Sequence, residues 1–303
     1  MDVFNKVKSI PVLEIGLVVA WSSGFIGGTL ASNTGSIFTV LFWRFLITSV
    51  ILLPFTLKVL AKLTTRDLIQ QCVIGGFAMF GYLATIIAAI DMGVSPGTAA
   101  LIASLQPIVT AALAGIVLSE KVVFKQWVGL CLGFIGVAVT VVGGLNDSPL
   151  LAYALALLSM VCIVVATFVA KARPSKVTLL PSLTIQCLIT SMLFMPLAYF
   201  NGGIVPEISL NFAYAVAWFV LFSTLGAYGL YWQILSKSSA TRVSSLIYLT
   251  PPVTTLWAWI MFGEAITVPA ILGLGISAVG VYLTLVKIKD KKVTTTHPCS
   301  LTK

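Results

Sequence analysis

The chain has 303 residues, of which 59% are hydrophobic and only 9% charged, with a mean hydropathy of +1.07. A soluble domain carries about a quarter charged residues, so this chain cannot cover itself with polar side chains and a water-soluble globular fold is excluded. Its net charge of +9 reads as a membrane-topology signal and not as a nucleic-acid patch, so no nucleic-acid partner is expected.

A spanning helix needs about 20 apolar residues. That length predicts ten spans in chain order, near residues 12–31, 36–57, 68–90, 95–118, 126–144, 150–170, 181–200, 212–235, 242–262 and 266–286. The connectors are short and polar: "SNTG" after the first span, "NDSP" after the fifth, "NGGIVPEIS" after the seventh. Pro11, Pro149 and Pro181 stand at or just before predicted helix starts, where a missing N–H is harmless. No soluble domain fits between the spans, so one membrane domain with a short basic tail is expected. The first apolar run continues without a small-residue cleavage site, which argues against a removed signal peptide.

Placing the N-terminus in the cytoplasm puts every Lys and Arg except Arg44 on the cytoplasmic side, and Asp91, Asp147, Glu207 and Glu264 on the other. This partition predicts that both termini are cytoplasmic, and it supports the count of ten, because one missed span would invert every later loop. The five cysteines form no CxxC pair and the single histidine, His297, lies in the tail. No metal-ligand set is legible and no cofactor is expected.

Residues 95–142 align without a gap on residues 239–286, at an offset of 144. Leu105, Pro107, Val109, Thr110, Glu120, Gly129, Leu130, Gly136 and Val137 match Leu249, Pro251, Val253, Thr254, Glu264, Gly273, Leu274, Gly280 and Val281. Shared apolar composition produces chance matches of Leu and Val. It does not readily align a mid-helix proline, a helix-end glutamate and two glycines. Five spans per half is an odd number, so the halves sit in opposite orientation. The fold expected is an all-α polytopic membrane protein with ten transmembrane helices as two inverted five-helix repeats, spanning 1–144 and 145–288, with a cytoplasmic tail at 289–303. Such a design lets a central site open to each side in turn.

The ten-span plan resembles the drug/metabolite transporter superfamily, specifically bacterial carriers with two EamA domains. The likeness rests on "AWSSGF" (20–25), "WRF" (43–45), and the Leu-x-Pro segments Leu105–Pro107 and Leu249–Pro251 that lead to Glu120 and Glu264. It covers nearly the whole chain except the tail. The sixth span, 150–172, lacks the tryptophan often found there in that family. The resemblance implies a solute carrier, commonly an exporter of amino acids or related metabolites, in the bacterial inner membrane.

Candidate functional residues follow from what hydrocarbon tolerates. Pro107 and Pro251 each release the carbonyl four residues earlier, those of Ala103 and Ile247, and such groups must be buried in protein or line a wet cavity. Arg44 stands inside "TVLFWRFLIT" with no acidic residue predicted at its depth. It either snorkels outward to orient its helix or faces a cavity and holds an anionic group of the solute. Gln106, Tyr82 and Tyr228 are its candidate polar neighbours. Glu14 is the one acid placed within a span; it reads either as an interfacial glutamate or as a proton-coupling group. Glu120 and Glu264 are expected to cap the helix that follows each of them. Trp21, Ser22, Thr85, Ser159, Trp232, Tyr248 and Trp257 complete the candidate cavity residues, the alternative for the aromatics being packing or an interfacial belt. Gly129, Gly133, Gly136, Gly273, Ser277 and Gly280 offer close-packing surfaces, within one chain rather than across a homodimer. A small-molecule solute and the lipid bilayer are the expected partners of a monomer. A multidrug exporter of the same fold is the rival reading, and an enzyme finds no paired carboxylates or HExxH to support it.

Overall fold

A computed structural model describes residues 2–31, 34–141, 148–173, 175, 177–206, 209–263 and 265–285, with the side chains of 2–11 left out. Asp147, Glu207, Glu264, His297, Cys299 and the tail lie outside the described residues. Among the described residues ten helices follow one another: α1 (Asp2–Ala31), α2 (Ile37–Leu60), α3 (Thr65–Asp91), α4 (Pro96–Val117), α5 (Phe124–Thr140), α6 (Leu150–Ala172), α7 (Leu179–Phe200), α8 (Leu210–Leu235), α9 (Ala240–Phe262) and α10 (Val268–Leu285). Among the described residues nine are long and apolar enough to cross a membrane, and α5 is shorter at 17 residues. Pro11 lies inside α1 rather than at its start, since that helix runs back to Asp2.

The short connectors work because their polar residues close the helix ends. Ser95 accepts the N–H of Thr98 at the start of α4, and Ser239 accepts that of Arg242 at the start of α9. These two caps are repeat equivalents. So are the irregularities. Helix α4 breaks at Ser104 and Leu105, just before Pro107, and α9 tightens to a 3₁₀ turn over Leu246–Leu249, just before Pro251. Each proline removes a backbone donor, and the chain answers with i→i+3 bonding. Helix α3 carries a π-helical stretch at Gly76–Gly81, which the offset of 144 places inside the longer π stretch of α8, Phe219–Tyr228.

The packing shows the same symmetry. The most extensively packed pairs are α5 with α10, α2 with α7, α3 with α6, and α1 with α8. Exchanging the two halves maps the first two pairs onto themselves and the last two onto each other. At the α5–α10 seam, a Cβ on Gly136 would lie 2.8 Å from the carbonyl of Gly273, and one on Gly129 would lie 2.6 Å from that of Gly280. Lipid supplies no hydrophobic drive between helices, so close backbone approach through small residues supplies the attraction. Between them Ser277 donates to the carbonyl of Gly133 at 3.3 Å, a residue 144 positions away and its own repeat equivalent. The pseudo-two-fold axis passes through that contact. The α2–α7 pair is filled by aromatics, with Phe194 stacked on Phe45 and meeting Phe80 edge-on.

Candidate functional site

A cavity of about 660 Å³ lies between α1, α2, α3, α4 and α8. Its mouth is at the end of the bundle where α1 stops and α2 begins, with Gly35, Asp91 and Pro96 on its rim. Four sequence candidates line it: Trp21, Arg44, Tyr82 and Tyr228. Most of the remaining wall is aliphatic or aromatic, including Phe25, Ile86 and Phe219. Ala103 is also on the wall, so the residue whose carbonyl Pro107 releases does border the cavity.

Arg44 does not snorkel. It is 1% exposed and turned into the bundle. Its Nε donates to Thr224 Oγ1 at 2.8 Å and its Nη2 to Ser223 Oγ at 3.0 Å. The rings of Phe45 and Phe219 lie 4.5 and 4.6 Å from the guanidinium carbon, giving two cation–π contacts. Among the described residues no carboxylate pairs with it. Two of its five N–H donors are therefore spent on hydroxyls, and the charge itself is met only by aromatic faces. Ser223, Thr224 and Phe219 were not expected from the sequence. The wide turns of the π stretch present Phe219, Ser223 and Thr224 to α2.

The cavity floor is a ring cluster. Trp21 lies 5.3 Å from Tyr228 and 5.2 Å from Tyr231 between ring centroids. Tyr228 donates to the carbonyl of Ala78 at 2.9 Å, within the π stretch of α3. Behind the floor, Gln106 Nε2 donates to the Tyr231 hydroxyl at 3.3 Å. Tyr231 in turn lies 2.7 Å from Thr167 Oγ1, whose own proton goes to the carbonyl of Ile163.

The other candidates stand apart from the cavity. Ser22 is buried and bonded to the carbonyl of Val19, and Thr85 to that of Gly81. Pro107 is buried in α4, and Pro251 borders a shallower recess with Ser95, Thr140 and Thr254. Trp232 and Tyr248 are buried, and neither Trp232 Nε1 nor the Tyr248 hydroxyl has a hydrogen-bond partner. Trp257 bonds the carbonyl of Val19 and packs edge-on against Trp218, sealing α1 to α8 and α9.

Two acids have partners that local reading did not reveal. Glu14 is 6% exposed and accepts Arg242 Nε at 2.8 Å, because the start of α9 packs beside α1. Glu120 does cap a helix, but not the α5 that follows it. Its carboxylate accepts the N–H of Ala240 at 2.9 Å and the hydroxyl of Thr241 at 3.3 Å, so it caps α9 in the other half. Among the described residues no cluster of His, Cys, Asp or Glu could hold a metal ion.

This geometry can be set beside known proteins. Over 298 residues the chain is 25% identical to the uncharacterized transporter YdfC of Bacillus subtilis (97% of this chain, 96% of that protein). It is 27% identical to an S-adenosylmethionine uptake transporter of Rickettsia prowazekii (75% of each chain). It is 25% identical to a probable amino-acid metabolite efflux pump of Salmonella typhimurium (67% of this chain, 72% of that protein). A solved crystal structure shares the fold with a TM-score of 0.76 at 18% identity, covering 90% of this chain and 96% of that one. The model of the EamA-like transporter family matches twice, at residues 9–142 and 150–286. With ten helices among the described residues and a family match over nearly its whole length in two halves, this chain is a polytopic membrane protein of the EamA-like transporter family.

Proposed function

We propose that the protein is a secondary carrier that works by alternating access and exports amino acids or related small metabolites across the bacterial inner membrane, with both termini in the cytoplasm. Each repeat, 1–144 and 145–288, contributes one half of the pathway, and one monomer carries one solute pathway. Trp21, Tyr82 and Tyr228 give the solute a broad apolar surface, and Arg44 takes its anionic group. The observation that carries this reading is Arg44. It is a permanent charge on the wall of a largely apolar cavity, held in place by Ser223 and Thr224 and without a carboxylate among the described residues. A carboxylate on the solute would complete it. Glu14 is the candidate for proton coupling. The uptake and efflux assignments of the two relatives oppose each other, so they favour a carrier without deciding direction. The aliphatic and aromatic lining favours a second reading, a multidrug exporter, in which contact with the rings dominates.

The test is radiolabel uptake and counterflow in proteoliposomes across amino acids and cationic drugs. It compares the natural solute with an analogue whose carboxylate is an amide. A charged hydrogen bond is worth about 1.5–3 kcal/mol, so Arg44→Gln should weaken the natural solute by about one to two decades and the amide hardly at all. Equal loss for both solutes, with normal insertion, refutes the assignment of Arg44.

A further inference from the structure

A separate recess of about 310 Å³ lies between α7 and the turn from α2 into α3. Helix α2 begins at the cavity mouth, so this recess at its far end belongs to the opposite end of the bundle. Leu63, Leu68 and Cys72 form one wall, and Ile185, Leu188 and Met192 the other. Leu68, Leu188 and Met192 are exposed, so the recess is a groove on the outer, lipid-facing surface. From Ile185 to Met192 it follows α7 for about 10 Å at the helical rise. That is shorter than the about 15 Å of hydrocarbon in one leaflet. An acyl chain lying along a helix fits a slot of this shape and polarity.

The end of the groove at the turn is basic. Lys62 stands between the lining residues Leu60 and Leu63, and Arg66 between Thr65 and Leu68. Lys58 is in the last turn of α2. All three are exposed, and among the described residues none of their side chains makes an ion pair or a hydrogen bond. The acid of this turn, Asp67, is engaged elsewhere: its two oxygens accept the hydroxyls of Thr64 at 2.7 Å and Ser175 at 3.2 Å. The corresponding turn of the second half, residues 201–209, contains no Lys or Arg, so such a turn closes without cations.

We infer that this groove binds an anionic phospholipid, with one acyl chain between α3 and α7 and the headgroup phosphate against Lys62 and Arg66. Charge complementarity selects the occupant. A basic rim at the end of an apolar slot matches a molecule with an anion at one end and a hydrocarbon chain at the other. A zwitterionic lipid brings the same phosphate together with a cation that would face the same rim. The site lies apart from the Arg44 cavity and does not depend on what solute, if any, that cavity carries.

The experiment is native mass spectrometry of the full-length protein in detergent, offered equal amounts of phosphatidylglycerol and phosphatidylcholine with the same chains. The protein should retain phosphatidylglycerol about tenfold over phosphatidylcholine. Lys62→Gln combined with Arg66→Gln should bring that ratio close to one. Leu188→Trp fills the groove, keeps every cation, and should also remove the retained phosphatidylglycerol. Lys121→Gln combined with Lys125→Gln, exposed cations at the α4–α5 turn of the same end, should leave the ratio unchanged. An equal loss in that second pair would mean a diffuse basic surface and overturn the site. So would retention that survives Leu188→Trp, or displacement of the lipid by soluble glycerol phosphate. A dimer that appears when lipid is removed and is lost in Leu188→Trp would give the groove to a second copy of the chain, and would equally overturn the assignment.

Discussion

Glu120 and Ala240 are 120 residues apart and belong to opposite repeats, yet the carboxylate of one accepts the backbone N–H of the other at 2.9 Å. A helix start leaves backbone donors unsatisfied and carries partial positive charge, so an anion there is stabilising whichever part of the chain it comes from. Glu120→Ala should cost about 0.5–2 kcal/mol, the range for a lost helix cap, and Glu120→Gln should cost less because its amide oxygen still accepts. Thermal unfolding in detergent checks both. Equal stability of the alanine variant and the unaltered protein would show that the cap carries no weight.

The anchoring of Arg44 predicts a sharp contrast at Thr224. Thr224→Val keeps the shape but leaves the buried Nε–H without its acceptor, which should cost about 1–3 kcal/mol. Thr224→Ser keeps the acceptor and should stay near the unaltered protein. Melting temperatures of the two variants side by side decide it, and indistinguishable values would remove the hydroxyl from the argument.

At the α5–α10 seam the obstacle to a side chain is backbone, which cannot turn aside. A Cβ on Gly136 would sit 2.5 Å from the amide nitrogen of Ser277. Gly136→Ala should separate the helices and destabilise by about 1–3 kcal/mol, as overpacking does. Gly275→Ala, where a Cβ meets nothing within 4 Å, should be neutral or slightly stabilising through helix propensity. Loss of monodisperse protein over time at fixed temperature compares them.

The orientation is open to a direct chemical test. Single cysteines at Ser95 and Ser239, on a cysteine-free background, should label from opposite sides of the membrane. Ser95→Cys should react with an impermeant reagent added outside, and Ser239→Cys only after permeabilisation. Reaction of both from one side would contradict the inverted arrangement.

The spans were legible in the sequence because length and apolarity alone set them. The repeat was legible because Pro107 and Pro251 are costly inside a helix and do not align by chance. Trp21, Arg44, Tyr82 and Tyr228 were legible as cavity residues because a charge or an amphipathic ring in mid-membrane needs a reason to be there. The anchors of Arg44 were not. Ser223 and Thr224 reach it from a π stretch, and i→i+5 bonding leaves no composition or period to read. The polar pair inside the apolar run "FVLFSTLGAY" was the available hint. The partner of Glu120 was missed for a different reason: helix capping was assumed to act on the next helix, whereas the inverted halves bring the start of α9 to the end of α4. The partner of Glu14 was not legible because Arg242, 228 residues away, is invisible to local reading.

The α5–α10 seam has the form of an isologous interface, in which residue i meets j while j meets i. Gly129 approaches Gly280 as Gly136 approaches Gly273, and exchanging the halves turns one contact into the other. A two-fold dimer of identical chains must put the same residue on its axis twice. Here the axis holds Gly133, where a side chain would run into the Tyr248 ring, and Ser277, which supplies the hydroxyl donor. Carrying both halves on one chain lets donor and acceptor occupy assigned sides. It also fixes the effective concentration of one half around the other, so the seam does not depend on meeting a second copy.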